Sequence, residues 1–399
     1  MIIRPDYVNE ISKFIDIPLV KILSGVRRCG KSTILDMIKE ELVKNRKVNE
    51  ENIISRKYNE IIFDDMTSTE MYNDLIKMFT NKNKYYLFLD EIQEIKGWEK
   101  VINDILEKYN VDIYVTGSNS KLMSSEISSY LSGRYISIPI YTLSFKEYLT
   151  FKKAVNKSVY EMFDEYLQYG GFPLIGISEF DSSSAYQIVD GIYSAVITRD
   201  ISKRHKIRNK DLFDRVVKYI IENVGKTFSA NSIVKFLKSE KRTLSIETIY
   251  NYLKWLVEAF IIYPCSRYDI QGKSILKTQE KYYLSDISFK YSKFGFNSSY
   301  IASMLENIVY LELKRRGYEV YVGKNETKEI DFIGVRREQR IYVQVCKELP
   351  NDSDREIKNL MEIKDHYHKY VVVKDNLAKG NENGIEIINI ADFLLKEEF

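Results

Sequence analysis

The sequence is poor in cysteine, in net charge and in long apolar runs, and each shortage removes a class of protein. Its three cysteines, Cys29, Cys265 and Cys346, lie far apart and form no C-x-x-C pair, which argues against a disulfide or zinc framework and fits a reducing cytoplasm. The longest apolar stretch, Trp255 to Tyr263, is short and broken by Glu258, so no membrane span is expected. The N-terminus, Met1-Ile2-Ile3-Arg4-Pro5-Asp6-Tyr7, has no apolar core of signal-peptide length. A net charge of +3 is too small for bulk charge to point to nucleic acid, so only local clusters could do so. What remains is the profile of a soluble globular chain. It is 44% hydrophobic and 29% charged over 399 residues, long enough for two or three domains with substantial cores.

One stretch organises the rest. Gly25-Val26-Arg27-Arg28-Cys29-Gly30-Lys31-Ser32 reads G-x-x-x-x-G-K-S, the phosphate-binding loop of nucleoside triphosphatases. The apolar run Leu19 to Leu23 before it suits a buried strand. Ile34, Leu35, Ile38 and Leu42 after it fall at helical spacing. Gly25 and Gly30 allow the backbone to turn and to approach an anion. The N–H groups near residues 28–32 converge at the positive end of the helix dipole. Lys31 is expected on the β and γ phosphates, Ser32 on Mg²⁺, and Thr33 near the α-phosphate. Cys29 reads as a tolerated variable position of the loop.

The first 140 residues alternate strand and helix, which predicts a parallel sheet covered on both faces. Ile61-Ile62-Phe63 is a short apolar run ending in Asp64-Asp65, and we count it among the strands. Tyr85-Tyr86-Leu87-Phe88-Leu89-Asp90-Glu91 is the Walker B pattern: a buried strand delivers Asp90 to its C-terminal edge, where open α/β sheets bind ligands. Asp90 is expected to hold Mg²⁺ through water, and Glu91 to act as general base on the attacking water. Val111 to Thr116 is a further strand ending in Gly117-Ser118-Asn119-Ser120. Asn119 or Ser118 would be the polar sensor that orients the water or touches the γ-phosphate. Tyr135 to Ile140 supplies a fifth strand. Arg134 stands just before it, where ring-forming ATPases carry an arginine that reaches a neighbour's γ-phosphate. No guanine-binding N-K-x-D motif is present: Asn81-Lys82-Asn83-Lys84 and Asn156-Lys157-Ser158-Val159 both fail, so ATP is the expected nucleotide.

The chain resembles the prokaryotic AAA-type ATPases that carry a C-terminal domain of unknown function with a restriction-endonuclease-like core. The residues that carry the resemblance are Gly25 to Ser32, Leu87 to Gln93, Thr116 to Ser120, Leu131 to Tyr135, Leu143 to Tyr148, Tyr169 to Pro173 and the segment near Glu306. It implies a P-loop core over residues 1–140, a helical lid over 141–210, a winged-helix module over 211–290 and a small α/β nuclease-like domain over 291–399. It implies an Mg²⁺-dependent ATPase with ATP and magnesium as cofactors. DNA and protein are both open as partners, as is oligomerisation.

The later segments read as follows. A basic run, Arg199, Lys203, Arg204, Lys206, Arg208 and Lys210 with His205, reads first as a solvated helix face, with phosphate binding as its alternative. Three helices begin at Asp211, Ser229 and Ser245, followed by strand-like pieces around Gln271-Gly272-Lys273; this is a winged-helix outline. The third helix offers Thr248, Asn251 and Lys254, but also Glu247. Further on, a helix through Glu306 precedes strands through Asp331 and through Gln344-Val345-Cys346. In the D…E-x-K nuclease layout the carboxylates hold Mg²⁺ and the lysine helps activate water. Glu306 and Asp331 match the acidic positions, but Gln344 stands for the glutamate and Cys346 for the lysine. Lys347 points to the other face of the strand. The expectation is a degenerate site.

Overall fold

Period-2 alternation decides the first sheet. In the strands β3 (Tyr85–Asp90) and β4 (Val111–Gly117) every residue is buried, as a strand covered on both faces requires. Leu87, Leu89, Ile113 and Val115 turn to one side; Phe88 and Tyr114 turn to the other and stack with centroids 4.7 Å apart. The first side is packed by the helices Ser68–Ile76 and Trp98–Lys108, through Met71, Leu75, Trp98, Val101, Ile102 and Ile105.

The computed structural model describes residues 2–123, 129–153, 156–272, 274–326, 328–349, 354–375 and 379–399. Lys273, expected in a hairpin, lies outside them. The chain forms two units, Met1–Ile140 with Glu258–Phe260, and Tyr141–Val257 with Ile261–Phe399. The first holds a five-stranded sheet in the order β2-β3-β4-β1-β5, with β1 Val20–Ser24, β2 Ile53–Lys57 and β5 Tyr135–Pro139. All its pairings are parallel, so every strand ends at the same edge.

One expected strand is not there. Ile61–Phe63 is a single 3-10 turn, and its place is taken by Ile53–Lys57, which pairs with β3. Three apolar residues are too few to tell a strand from a turn. Ile61 and Ile62 are 83% and 73% exposed, and only Phe63 is buried, edge-on against Tyr58.

The second unit opens with the helices Phe145–Lys152, Val159–Tyr169 and Ser182–Ala195. The first two start on full capping boxes, Ser144 with Glu147 and Ser158 with Glu161. Three helices follow, Lys210–Glu222, Ala230–Ser239 and Ile246–Glu258; Asn209 and Ser229 cap the first two. The hairpin of β6 (Ile262–Asp269) and β7 (Ser274–Leu284) comes next. It does not stand alone. β6 pairs in parallel with β8 (Glu319–Asn325), so the hairpin is the edge of an eight-stranded sheet, order β12-β13-β11-β10-β9-β8-β6-β7. Its other strands are β9 Lys328–Arg336, β10 Gln339–Cys346, β11 His368–Val373, β12 Gly380–Glu382 and β13 Ile385–Asn389. The segments 211–290 and 291–399 thus share one sheet.

Candidate functional site

The parallel register gathers the predicted residues at one edge of the first sheet. Ser24 of β1 pairs with Gly117 of β4, and Leu89 of β3 pairs with Val115. The phosphate loop, Asp90-Glu91 and Gly117-Ser118-Asn119 therefore leave the sheet side by side, with β4 between the other two. Gly25 is fixed by crowding: a Cβ there would lie 2.1 Å from the carbonyl oxygen of Ile140. Gly30 takes φ 104° and ψ 17° as N-cap of the helix Lys31–Lys44, a conformation that strains a residue with a Cβ. Arg28 is left-handed as well, at φ 68°. Cys29 is buried, which pushes its thiol pKa up, and its carbonyl accepts from Arg4 Nη1 at 2.9 Å. Val26 is buried, Arg27, Gly30 and Ser32 are half-buried, and Arg28 and Thr33 are exposed.

Lys31 is 4% exposed, and its Nζ donates to the carbonyls of Gly25 at 3.0 Å and Val26 at 3.2 Å. Among the described residues it forms no salt bridge. Across from it, Thr116 joins the two carboxylate positions. Its hydroxyl donates to Asp90 Oδ1 and accepts from the Glu91 N–H at 3.0 Å. Glu91 is left-handed, at φ 52°, an uncommon state for a residue that is not glycine. Gln93 Nε2 donates to Glu91 Oε2. Burial alone would raise the Glu91 carboxyl; Lys31, then Gln93, Arg27 and Ser118, outweigh it and hold it below its ordinary value. Ser118 and Asn119 are both buried.

Arg134 is elsewhere. Its carbonyl accepts from the Val20 N–H, at the opening end of β1, so it sits at the opposite edge of the sheet from the loop. Its guanidinium holds Asn103 Oδ1 at 2.8 Å and Glu107 Oε1 at 2.6 Å. Within one chain it is not brought to the other site residues.

No site role is expected from the sequence for Thr116, Gln93 or Arg4, although the first two lie in stretches that carry the resemblance. Thr116 follows from register only. Gln93 comes from the turn after Walker B, and Arg4 arrives from far upstream with no motif to mark it.

The residues fit a magnesium-bound triphosphate. The cradle has no room for a side chain at Gly25, the Lys31 ammonium is held among the described residues by carbonyls that a phosphate can replace, and Ser32 and Asp90 offer oxygen ligands of the kind magnesium takes.

The nuclease-like positions lie in the second unit, and a lysine stands among them. Lys281 of β7 is buried; its Nζ is 2.8 Å from Glu329 Oε1 and 3.6 Å from Glu306 Oε2. Burial opposes its charge, but Glu306, Asp331 and Glu329 outweigh burial and hold the ammonium above its ordinary value. Burial raises the Glu306 carboxyl despite Lys281 and Tyr283. Asp331 Oδ2 accepts from the Val345 N–H at 2.8 Å, and its own N–H donates to Gln344 Oε1 at 3.3 Å. Among the described residues no group of His, Cys, Asp and Glu is placed to hold a metal ion. Nor is any described helix long and apolar enough to cross a membrane.

Comparison with known proteins places this geometry. Residues 18–149 match the AAA domain family, and residues 160–300 match a domain of unknown function (DUF8612). An uncharacterized protein of Haemophilus influenzae is 37% identical over 99% of this chain and 99% of its own. One of Methanocaldococcus jannaschii is 32% identical over 96% of this chain and 88% of its own. Among solved structures, a Walker-type ATPase of Pyrococcus abyssi is similar in fold, with a TM-score of 0.51 at 14% identity, covering 73% of this chain and 95% of that one. The chain therefore opens with an AAA domain of P-loop fold and belongs to one family with the Haemophilus influenzae protein.

Proposed function

We propose that the protein binds and hydrolyses ATP with magnesium at the edge formed by Gly25–Thr33, Asp90, Glu91 and Ser118-Asn119, and that hydrolysis moves the chain beyond residue 140. The observation that carries the reading is the buried Lys31 ammonium, bonded only to two loop carbonyls and facing a carboxylate edge tied by Thr116. Magnesium, when bound, neutralises charge on the phosphate oxygens. Lys31 orients the β and γ phosphates, and the loop N–H groups with the helix N-terminus bind them. Ser32 and Asp90 would hold the ion. Glu91 accepts a proton from the attacking water, and its depressed pKa keeps it ionised for that role. Asn119 and Ser118 position the water beside it. Arg134 would act only on a neighbouring copy's nucleotide.

Coupling to the rest of the chain has a physical basis. Ile140, where the chain first leaves the first unit, packs its carbonyl onto Gly25 and donates its N–H to Ser24 O at 2.7 Å. A loop that shifts on nucleotide binding therefore pulls on the residue where the chain leaves the unit.

The test is ATP affinity and steady-state turnover of wild type against Lys31→Ala. We expect turnover to fall by about 10²-fold or more with weakened binding. Wild-type turnover in Lys31→Ala would refute the site. A second reading, a nucleotide-gated interaction switch, predicts stoichiometric ATP binding and no phosphate release from wild type.

A further inference from the structure

The near-neutral total hides a strong local imbalance. Residues 199–257 contain 14 Lys and Arg against six Asp and Glu, a surplus of eight in a chain whose total is +3. The fold then engages three of the six acids, leaving Asp214, Glu222 and Glu247 exposed. Asp200 is 2% exposed, 4.0 Å from Arg204. Asp211 is taken by Arg242 and Arg215, and Glu240 by Arg215 at 2.9 Å. Arg199, Lys206, Arg208, Lys210 and Lys254 stay exposed, and none has a side-chain hydrogen bond or ion pair among the described residues.

These cations are held in place rather than strung on a loose loop. Arg199 lies in a π-helical stretch, Val196–Ser202, closed by the Lys203 N–H on Thr198 O; such stretches are uncommon and occur often at functional positions. The His205 ring stacks on Trp255 with centroids 4.5 Å apart and planes 12° apart. That contact pins Lys206 and Arg208 beside the helix Ile246–Glu258. Ile246 is exposed at the start of that helix, and Glu247, Tyr250, Asn251 and Lys254 follow as exposed residues in one stripe at i, i+3, i+4 and i+7.

We propose that this block is a binding surface for double-stranded nucleic acid. Arg199, Lys206, Arg208 and Lys210 contact backbone phosphates, and Tyr250, Asn251 and Lys254 face the groove. The charge surplus supplies the counterion-release term that dominates such binding. Asn and Lys on an exposed helix are donors suited to base edges. Two apolar residues, Ile246 and Tyr250, are exposed on this helix, fewer than the continuous apolar face that membrane-surface helices bury. The inference is independent of the nucleotide site, which lies in the other unit.

The test uses the full-length protein and fluorescence anisotropy with a labelled duplex of roughly 30 base pairs across a salt series. Wild type should bind with a steep salt dependence. Changing Arg199, Lys206, Arg208 and Lys210 together to Ser should weaken binding at least about tenfold and lower the log–log salt slope by about 3 to 4. Circular dichroism and thermal melting check folding. If the quadruple variant is unfolded, Lys206→Ser with Arg208→Ser should lower the slope by about 2. Parallel arms use polyglutamate and phosphatidylserine vesicles. No saturable duplex binding, an unchanged slope in a folded variant, or equal affinity for polyglutamate or vesicles would overturn the proposal.

Discussion

Each unit buries a lysine beside carboxylate, Lys31 in one and Lys281 in the other, and these two are held in opposite ways. Lys31 is bonded to two neutral carbonyls and makes no ion pair among the described residues. Lys281 sits directly against Glu329 and Glu306. The first arrangement leaves an ammonium available to an incoming anion. The second consumes it, and the lysine occupies the charge that a metal would otherwise supply to those acids. A buried cation near acids therefore does not by itself mark a reactive site; what matters is whether its partners are exchangeable.

The contrast can be broken at either lysine or at the carboxylates they face. The largest effect is expected for Glu91→Gln: ATP turnover should fall about 10³-fold while ATP binding is retained, because the general base is lost but the anion cradle is not. Equal losses of binding and turnover would show that Glu91 shapes the pocket instead. Next comes Lys281→Met, which leaves buried acids without their cation. It should destabilise the second unit by about 3 kcal/mol, toward the low end because Glu329 is partly solvated. Denaturant melts would report it, and adding Glu306→Gln should restore part of the loss. An unchanged midpoint would mean that the cluster contributes nothing to folding.

A smaller effect is expected for Thr116→Val, which strips Asp90 and the Glu91 N–H of a shared hydroxyl. Turnover should drop about tenfold in a protein that still melts normally. The smallest effect is on pH dependence. Glu91 is held below its ordinary value of 4.5, so it is already ionised at neutral pH. Its contribution to folding is present above the unfolded value and is lost as pH falls through the folded one. Turnover should accordingly be flat from about pH 8 to about pH 5, as far as Glu91 governs it. A midpoint near neutrality tracking Glu91 would contradict the assigned environment.

Much of the proposed site could be picked out in the sequence because its residues are local. Gly25 to Thr33 are contiguous, and Asp90 and Glu91 follow directly from an apolar strand. Ile61–Phe63 misled because three apolar residues fit a turn as well as a strand. Arg4 has no periodic or motif signal, and Gln93, though it ends the Leu87–Gln93 motif, has no spacing that marks its bond to Glu91. Lys281 was invisible as a partner of Glu306 because only tertiary contacts bring β7 to that helix. The hairpin Ile262–Leu284 looked like the end of a separate module. Its backbone is instead completed by β8, and no pattern in a single strand reveals which neighbour will pair with it.

The sequence alone carried the proposed phosphate loop and carboxylate pair, the parallel α/β character of the first unit, and Gln344 and Cys346 where an E-x-K pattern would have a glutamate and a lysine. Each depends on residues near one another in the chain, where spacing and side-chain chemistry are sufficient. Tertiary structure decided the strand order, the Thr116 latch, the position of Arg134 at the far sheet edge and the pairing of Lys281 with distant acids. These depend on which segments meet across long loops, and that choice is made by burial and backbone pairing over the whole chain rather than by any local run.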